Sequence, residues 1–173
     1  MISYTIDEIA SILKGTLHKS GIPDGYMVSH ILTDSRTLLR AENSVFFALS
    51  GIRNNGHQFI PELAEKGVRV FVVSETVTLP VAGAVIEVKD TLEALQQLAS
   101  FHRSRFEFPV IGITGSNGKT VVKEWLHDLL SDSFSIVRNP KSYNSQIGVP
   151  LSVWLMQPGN NLGIFEAGIS YPG

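Results

Sequence analysis

The chain has 173 residues, with 14 Lys and Arg against 16 Asp and Glu, a net charge of −2 when its five His are neutral. With 43% apolar and 17% charged residues, it has the composition of a folded chain, long enough for one ordinary domain or two small ones. The near-neutral balance, without a basic run, argues against nucleic-acid or membrane-surface binding, and the absence of Cys excludes disulfides, thiolate catalysis and Cys-type metal centres. The N-terminal segment MISYTIDEIASILKG has no basic stretch and no long apolar run, so no signal peptide is expected. No segment approaches the roughly 20 apolar residues of a membrane span, and a cytoplasmic protein is the expectation.

In chain order, Ile6, Ile9, Ala10 and Leu13 fall on one helical face, Thr5 with Glu8 forms a capping box, and Gly15 is the expected stop. The apolar runs Val28–Leu32 and Val45–Leu49 read as strands. Helical spacing returns from His57 to Lys66 and ends at Gly67. The run from Val68 to Val73 is nearly continuous in β-branched and aromatic residues, as in a strand covered on both faces, and Ala84–Val88 is another strand. A helix from Thr91 to Arg105 starts at Asp90 with Glu93, and its His102, Arg103 and Arg105 read as a solvated face. A boundary near Lys89 separates residues 1–88 from 89–173. Beyond it the order is strand, Gly-rich loop, helix, strand, loop, helix, strand. That alternation predicts an α/β fold with a mostly parallel sheet. The helix Lys119–Leu130 is expected to bury Val122, Trp125, Leu126 and Leu129, and the last strand runs from Leu162 to Phe165.

The strongest chemical signal is Gly112-Ile113-Thr114-Gly115-Ser116-Asn117-Gly118-Lys119-Thr120, between an apolar strand and a helix. Glycines let successive backbone N–H groups turn toward an anion, and the new helix adds about half a positive charge at its N-terminus. Lys119 supplies a mobile charge for terminal phosphates and Thr120 a hydroxyl for Mg²⁺. The pattern departs from the strict phosphate loop at Ile113, where a Gly is expected. The alternative is an ordinary glycine-rich strand-to-helix turn. Glu166 closes the strand LGIFE and offers the hard oxygen that Mg²⁺ prefers; the alternative is a solvated strand-end carboxylate.

These residues resemble the Mur ligases of peptidoglycan assembly. The resemblance rests on Thr114–Thr120, on Thr33-Asp34-Ser35-Arg36 and VFFALSG, on Asn55-Gly56-His57-Gln58-Phe59-Ile60, and on Tyr143–Leu151 with Phe165-Glu166-Ala167-Gly168. Folate ligases share the loop but lack the first region. The resemblance implies a small N-terminal α/β domain binding a UDP-muramoyl peptide (1–88), followed by the first part of a parallel-sheet ATPase domain (89–173). The Tyr143–Leu151 wording is most similar to the branch that adds D-alanyl-D-alanine to the UDP-muramoyl tripeptide, including members fused to an alanine racemase. The branch adding lysine or diaminopimelate is the alternative within the family. A non-catalytic nucleotide-sugar module and an unrelated phosphate-loop NTPase are the alternatives outside it.

The resemblance implies ATP and Mg²⁺ as cofactors and peptide-bond formation through an acyl phosphate. Lys119 would hold the β- and γ-phosphates as the catalytic cation. Gly115, Ser116, Asn117 and Gly118 would wrap the phosphates, Thr120 and Glu166 would hold Mg²⁺, and Asn144 would lie near the ATP cleft. Ser35 and Arg36 fall near the UDP moiety, and Asn55, Gly56 and His57 on the loop closing around it. Two positions depart from the common family wording: Asn55 stands where many relatives carry Asp, and Ser145 where many carry a second Asn. Simpler roles exist for several of these residues. Asp34 could pair with Arg36 or cap the turn, His57 could start its helix, Asn144 could be a turn residue, and Trp125 and Trp154 could be core. The family's metal-binding His and carbamylated Lys, and its further ligase domains, are expected downstream in the same polypeptide, so this chain alone is expected to be inactive.

Overall fold

The computed structural model describes residues 2–51 and 55–168. The chain divides into two compact units, Met1–Leu98 and Ala99–Gly173, and the division falls inside a helix. Among the described residues no helix is long and apolar enough to cross a membrane.

The first unit opens with β1 (Tyr4–Thr5) and α1 (Ile6–Leu13). The capping box forms as its sequence implies: the Thr5 hydroxyl accepts the Glu8 N–H at 3.1 Å, and the Glu8 carboxylate accepts the Thr5 N–H at 2.7 Å. Ile6, Ile9, Ala10 and Leu13 are all buried. Lys14, rather than Gly15, takes the left-handed conformation that ends the helix (φ 52°). Next comes β2 (Thr16–Ser20), a strand that no apolar alternation announces, because it lies at a sheet edge and is largely exposed. The run Val28–Leu32 is two strands, β3 (Met27–Val28) and β4 (His30–Leu32). The break comes where the N–H groups of Ser29 and His30 both donate to the Asn43 carbonyl.

The unit continues with β5 (Ser44–Phe47), α2 (Ile60–Glu65), β6 (Val70–Val73) and β7 (Gly83–Glu87). One sheet has the order β2-β7-β6-β5-β4, parallel except for β2. Phe46, Phe71, Val73 and Val85 pack with Ile60 and Leu63 of α2 in one apolar cluster. Their neighbours Val45, Phe47, Val70, Val72 and Ile86 are buried as well, as expected of strands covered on both faces.

A helix α3 (Thr91–Ser104) spans the division, and Asp90 caps it by accepting the N–H groups of Leu92 and Glu93 at 2.8 and 2.9 Å. The second unit then has β8 (Val110–Ile113), α4 (Lys119–Leu130), β9 (Ile136–Arg138), α5 (Gly148–Val153) and β10 (Leu162–Glu166). Its three strands form a parallel sheet in the order β8-β10-β9. The predicted alternation of elements is present, and its sheet is separate from that of the first unit.

Two packing expectations need correction. Val122, Trp125 and Leu129 of α4 are exposed, at 43%, 65% and 78%, instead of buried. Periodicity marks an apolar stripe, but it does not say which neighbour meets it: here Leu126 of that stripe is half-buried, and Lys123 is the residue that α4 buries fully. The expected solvated cluster on α3 is also wrong for His102. Its ring is buried against Trp154 and Phe106, and Nε2 donates to the Met156 carbonyl at 3.1 Å. Arg103 is likewise engaged, donating to the carbonyls of Phe106 and Phe108.

Burial holds the His102 imidazole below its ordinary range, against the upward pull of the Met156 hydrogen bond and with help from the nearby Arg105 charge. The unfolded chain therefore binds a proton at this site more readily than the folded one. The stabilisation is complete above about pH 6.5, the ordinary histidine value, and is lost as pH falls from there toward the folded pKa. Thermal denaturation should show a melting temperature that drops below that pH, and His102→Phe should flatten the drop.

Candidate functional site

The glycine-rich loop between β8 and α4 is positioned by the register of two strands. Glu166 of β10 lies opposite Ile113 of β8, and the Ala167 N–H donates to the Ile113 carbonyl at 2.9 Å. The end of β10 is thus placed beside the point where the loop leaves β8. The loop needs glycine for backbone reasons: Gly115 and Gly118 have φ of 143° and 78°, a region that side chains strongly disfavour. Gly118 caps α4 without a side-chain hydrogen bond, which leaves the first amides of a twelve-residue helix without an intrahelical acceptor. Among the described residues the N–H groups of Gly115, Ser116, Asn117 and Gly118 donate to no backbone acceptor. The loop is exposed, and a Cβ at either glycine would meet nothing within 4 Å. Lys119 folds back over it, Nζ donating to the Gly115 carbonyl at 2.5 Å.

A polar network, buried at Asn139 and Glu166, joins α4, β10 and the segment between β9 and α5. Thr120 Oγ1 is 3.3 Å from Ser142 Oγ. Asn144 Nδ2 donates to Glu166 Oε1 at 3.4 Å, and the Asn144 carbonyl accepts the Gly168 N–H at 2.7 Å. Asn139, almost fully buried, accepts the Glu166 N–H at 2.6 Å and donates to the carbonyls of Tyr143 (2.6 Å) and Glu166 (3.2 Å). Gly148 is required by proximity, since a Cβ there would lie 2.8 Å from the Tyr143 carbonyl carbon.

Glu166 has no exposed surface, and its Oε2 is the one buried side-chain oxygen or nitrogen among the described residues without a hydrogen-bond partner. An orphaned carboxylate oxygen is costly in an interior and suits a hard cation. In this respect Glu166 fits a hard divalent cation such as Mg²⁺. Among the described residues no cluster of three or more His, Asp or Glu forms a complete metal cage.

Two further residues emerge from this network that the sequence reading did not single out, Lys123 and Asn139. A Lys amid the helix's apolar positions, one turn after Lys119, was the available signal for the first; the second carried none. The Lys123 side chain is fully buried, with Nζ beside Glu124, Glu166 and the carbonyls of Asn139 and Lys141. Burial pushes the Glu124 carboxyl up, but Lys123 and Arg138 outweigh it and hold it below its ordinary range.

In the first unit, a hollow of about 310 Å³ is lined by residues 33–36, Phe46, Leu49, Gly56 and Phe59. Ser35 and Arg36 lie in a short 3-10 turn, Ser35–Thr37. Asp34 caps this turn by accepting the Arg36 N–H at 3.0 Å, and its carboxylate pairs with the Arg36 guanidinium at 2.6 Å. The simpler role foreseen for Asp34 is therefore present, while Ser35 and Arg36 still face the hollow. The Arg36 hydrogen bond lowers the Asp34 carboxyl to about 2.

Asn55 and His57, on either side of Gly56 in the chain, are not among the residues lining the hollow. Asn55 Oδ1 accepts the His57 N–H at 3.0 Å and its Nδ1 at 2.6 Å, while Asn55 Nδ2 donates to Glu75 at 3.1 Å. His57 Nε2 accepts the Ser74 N–H at 3.0 Å, which assigns the ring proton to Nδ1. Both His57 nitrogens are thus engaged within the chain, and the residue belongs to a 3-10 turn, Gly56–Phe59, that precedes α2. Gly56 itself lines the hollow.

Comparison with known proteins places these features in context. Residues 27–103 match the family described as Mur ligase family, catalytic domain, and residues 113–173 match the Mur ligase middle domain. The UDP-N-acetylmuramoyl-tripeptide–D-alanyl-D-alanine ligase of Bacillus subtilis is 36% identical over the whole chain, which covers 37% of that protein. The crystal structure of MurF from Acinetobacter baumannii superposes on the whole chain with a TM-score of 0.89 at 30% identity, 37% of that chain being covered. The MurF ligase from Thermotoga maritima in complex with ADP covers 84% of this chain, with a TM-score of 0.73 and 29% identity, and 33% of its own length is matched. The chain spans a little over a third of the relatives it resembles.

Proposed function

The chain belongs to the Mur ligase family, and from that premise we propose that it supplies the nucleotide-sugar lobe and the phosphate loop of a ligase that adds D-alanyl-D-alanine to UDP-N-acetylmuramoyl-tripeptide. The observation carrying this reading is a set of loop amides without backbone acceptors together with a wholly buried Glu166 oxygen that accepts no hydrogen bond, at the end of the strand paired with the one that leads into the loop. Residues 1–88 would hold the UDP-muramoyl peptide, with Ser35, Arg36 and Gly56 at the hollow and Asn55 and His57 on either side of Gly56. Residues 89–173 would carry ATP.

The reaction must bring an anionic tripeptide carboxylate to an anionic triphosphate. A carboxylate oxygen bonds to the γ-phosphorus as the bond to the bridging β–γ oxygen breaks, and ADP leaves. The dipeptide amine then attacks the acyl carbon and expels phosphate. In this scheme the amides of Gly115, Ser116, Asn117 and Gly118 hold the phosphates in place. Lys119 releases the Gly115 carbonyl and takes the β- and γ-phosphate oxygens, offsetting the charge that gathers there. Thr120 and Glu166 would hold Mg²⁺, which when bound neutralises phosphate charge. Asn144 orients the Glu166 carboxylate through its hydrogen bond to Oε1.

Calorimetry with each ligand separately tests the assignment. UDP-N-acetylmuramoyl-tripeptide and Mg·ADP should each bind. Ser35→Ala, which deletes a hydroxyl worth about 1 kcal/mol, should weaken the sugar nucleotide roughly fivefold and leave ADP unchanged. Absence of sugar-nucleotide binding by the folded chain would move the reading to a phosphate-loop protein of another pathway.

A further inference from the structure

Lys123 lies one turn beyond Lys119 on α4, and its side chain has no exposed surface. Interior ammonium groups are rare unless several partners hold them. Its Nζ donates to the Asn139 carbonyl at 3.1 Å and to the Lys141 carbonyl, lies 3.3 Å from Glu124 Oε1, and stands 4.0 Å from Glu166 Oε2. Glu124 is already paired with Arg138. The charge that Lys123 faces without other compensation is therefore Glu166, through the oxygen that accepts no hydrogen bond. The phosphate chemistry assigned to Lys119 and Thr120 makes no use of this ammonium.

We propose that Lys123 is a positioning and selectivity residue, an internal counter-charge that keeps Glu166 from binding a bare divalent cation and reserves it for a cation that arrives with nucleotide phosphates. The inference rests on the reading of Glu166 as the metal carboxylate. Its physics is a matter of sign. Carboxylate and ammonium together carry no net charge, so a free dication meets little attraction, and a fixed positive charge 4.0 Å from the ligand oxygen repels it. A dication already on a triphosphate is part of a net anion, which Lys123, Lys119 and the N-terminus of α4 all attract. The two loop carbonyls anchor the ammonium, so it cannot swing aside when a cation approaches. A purely structural role has the opposite signature: damage to the site weakens every ligand, whereas removal of a repelling charge tightens the bare cation.

Mn²⁺ alone serves as the probe, followed by electron paramagnetic resonance at about pH 8, where carboxylates are ionised. Titrations with and without ADP are run on the parent chain and on Lys123→Gln, Lys123→Arg and Glu166→Gln, with thermal melts to establish folding. Gln keeps an N–H donor for the loop carbonyls without the charge. Lys123→Gln should bind bare Mn²⁺ about tenfold more tightly than the parent, while Lys123→Arg, which keeps the charge, should stay within roughly threefold of it. A folded Lys123→Gln that binds bare Mn²⁺ no more tightly, or a Lys123→Arg that tightens as much, overturns the proposal. Should Lys123→Gln not fold, the parent decides: bare Mn²⁺ must bind far more weakly than Mn²⁺ with ADP, and equal affinities overturn the idea. Glu166→Gln separates the two claims. If it leaves Mn²⁺·ADP binding intact, the Glu166 reading itself fails. If it abolishes that binding while Lys123→Gln is without effect, only the role of Lys123 fails.

Discussion

Lys119→Ala should lower the affinity for Mg·ADP by roughly thirty- to a hundredfold, the equivalent of about 2–3 kcal/mol for lost charge-assisted hydrogen bonds. The fold should be untouched. Among the described residues the Lys119 ammonium hydrogen-bonds to the exposed Gly115 carbonyl, which water can take over, and Ala is the best helix former for the first position of α4. Calorimetry reads the affinity, and a melting curve confirms that the variant is folded. Binding of UDP-N-acetylmuramoyl-tripeptide should be unchanged, because the hollow assigned to it is lined by residues of the first unit alone. A change in ADP affinity of less than about threefold would remove Lys119 from the phosphate site; loss of the sugar nucleotide instead would reverse the assignment of the two units.

The second large effect is on stability. Phe71 is fully buried in β6, the middle strand of the five-stranded sheet, and meets Phe46 edge-to-face with ring centroids 6.4 Å apart. Phe71→Ala should cost about 3–5 kcal/mol, from lost burial, the cavity left behind and the lost ring contact. A domain holds only some 5–15 kcal/mol in total, so the first unit should unfold at much lower denaturant. Urea titration followed by circular dichroism measures this. The Phe46 neighbour lines the hollow, so sugar-nucleotide binding should fall together with the stability. A variant that keeps the midpoint of the parent would show that the 46–71 cluster is not the core of that unit.

How far the sequence could be read depended on whether its signals were local. The Thr5–Glu8 capping box, the Asp90 cap and the limits of α4 depend on residues within one turn of each other, and each formed where it was expected. The continuous apolar run at β6 was likewise enough to predict a strand buried on both faces. Strand β2 escaped notice because an exposed edge strand is held by backbone pairing to β7, which leaves no apolar pattern. The break at Ser29 follows from a carbonyl on a distant turn, Asn43.

The same division runs through the candidate site. The loop glycines, Lys119 and the strand-ending Glu166 could be read directly, because the chemistry needs those residue types next to a strand and a helix. Asp34 and Arg36 sit close enough in sequence that their pairing was foreseeable, and it occurs. By contrast, Trp125 and Leu129 were placed inside on periodicity alone and lie outside, while His102 was placed outside and lies inside. Periodicity reports that a stripe exists; only packing chooses the face.

What the residues alone determined is local: the elements, the conformational need for Gly115 and Gly118, and the donor types available to a phosphate and a cation. Tertiary structure decided which distant groups share a dielectric. It set Glu166 beside Ile113 by strand register, buried Lys123 4.0 Å from it, and threaded Asn139 between the two. A helix residue, a strand end and a loop asparagine carry no mark of one another in sequence. Their coupling arises only when folding removes water from between them and leaves two opposite charges to settle each other's energy.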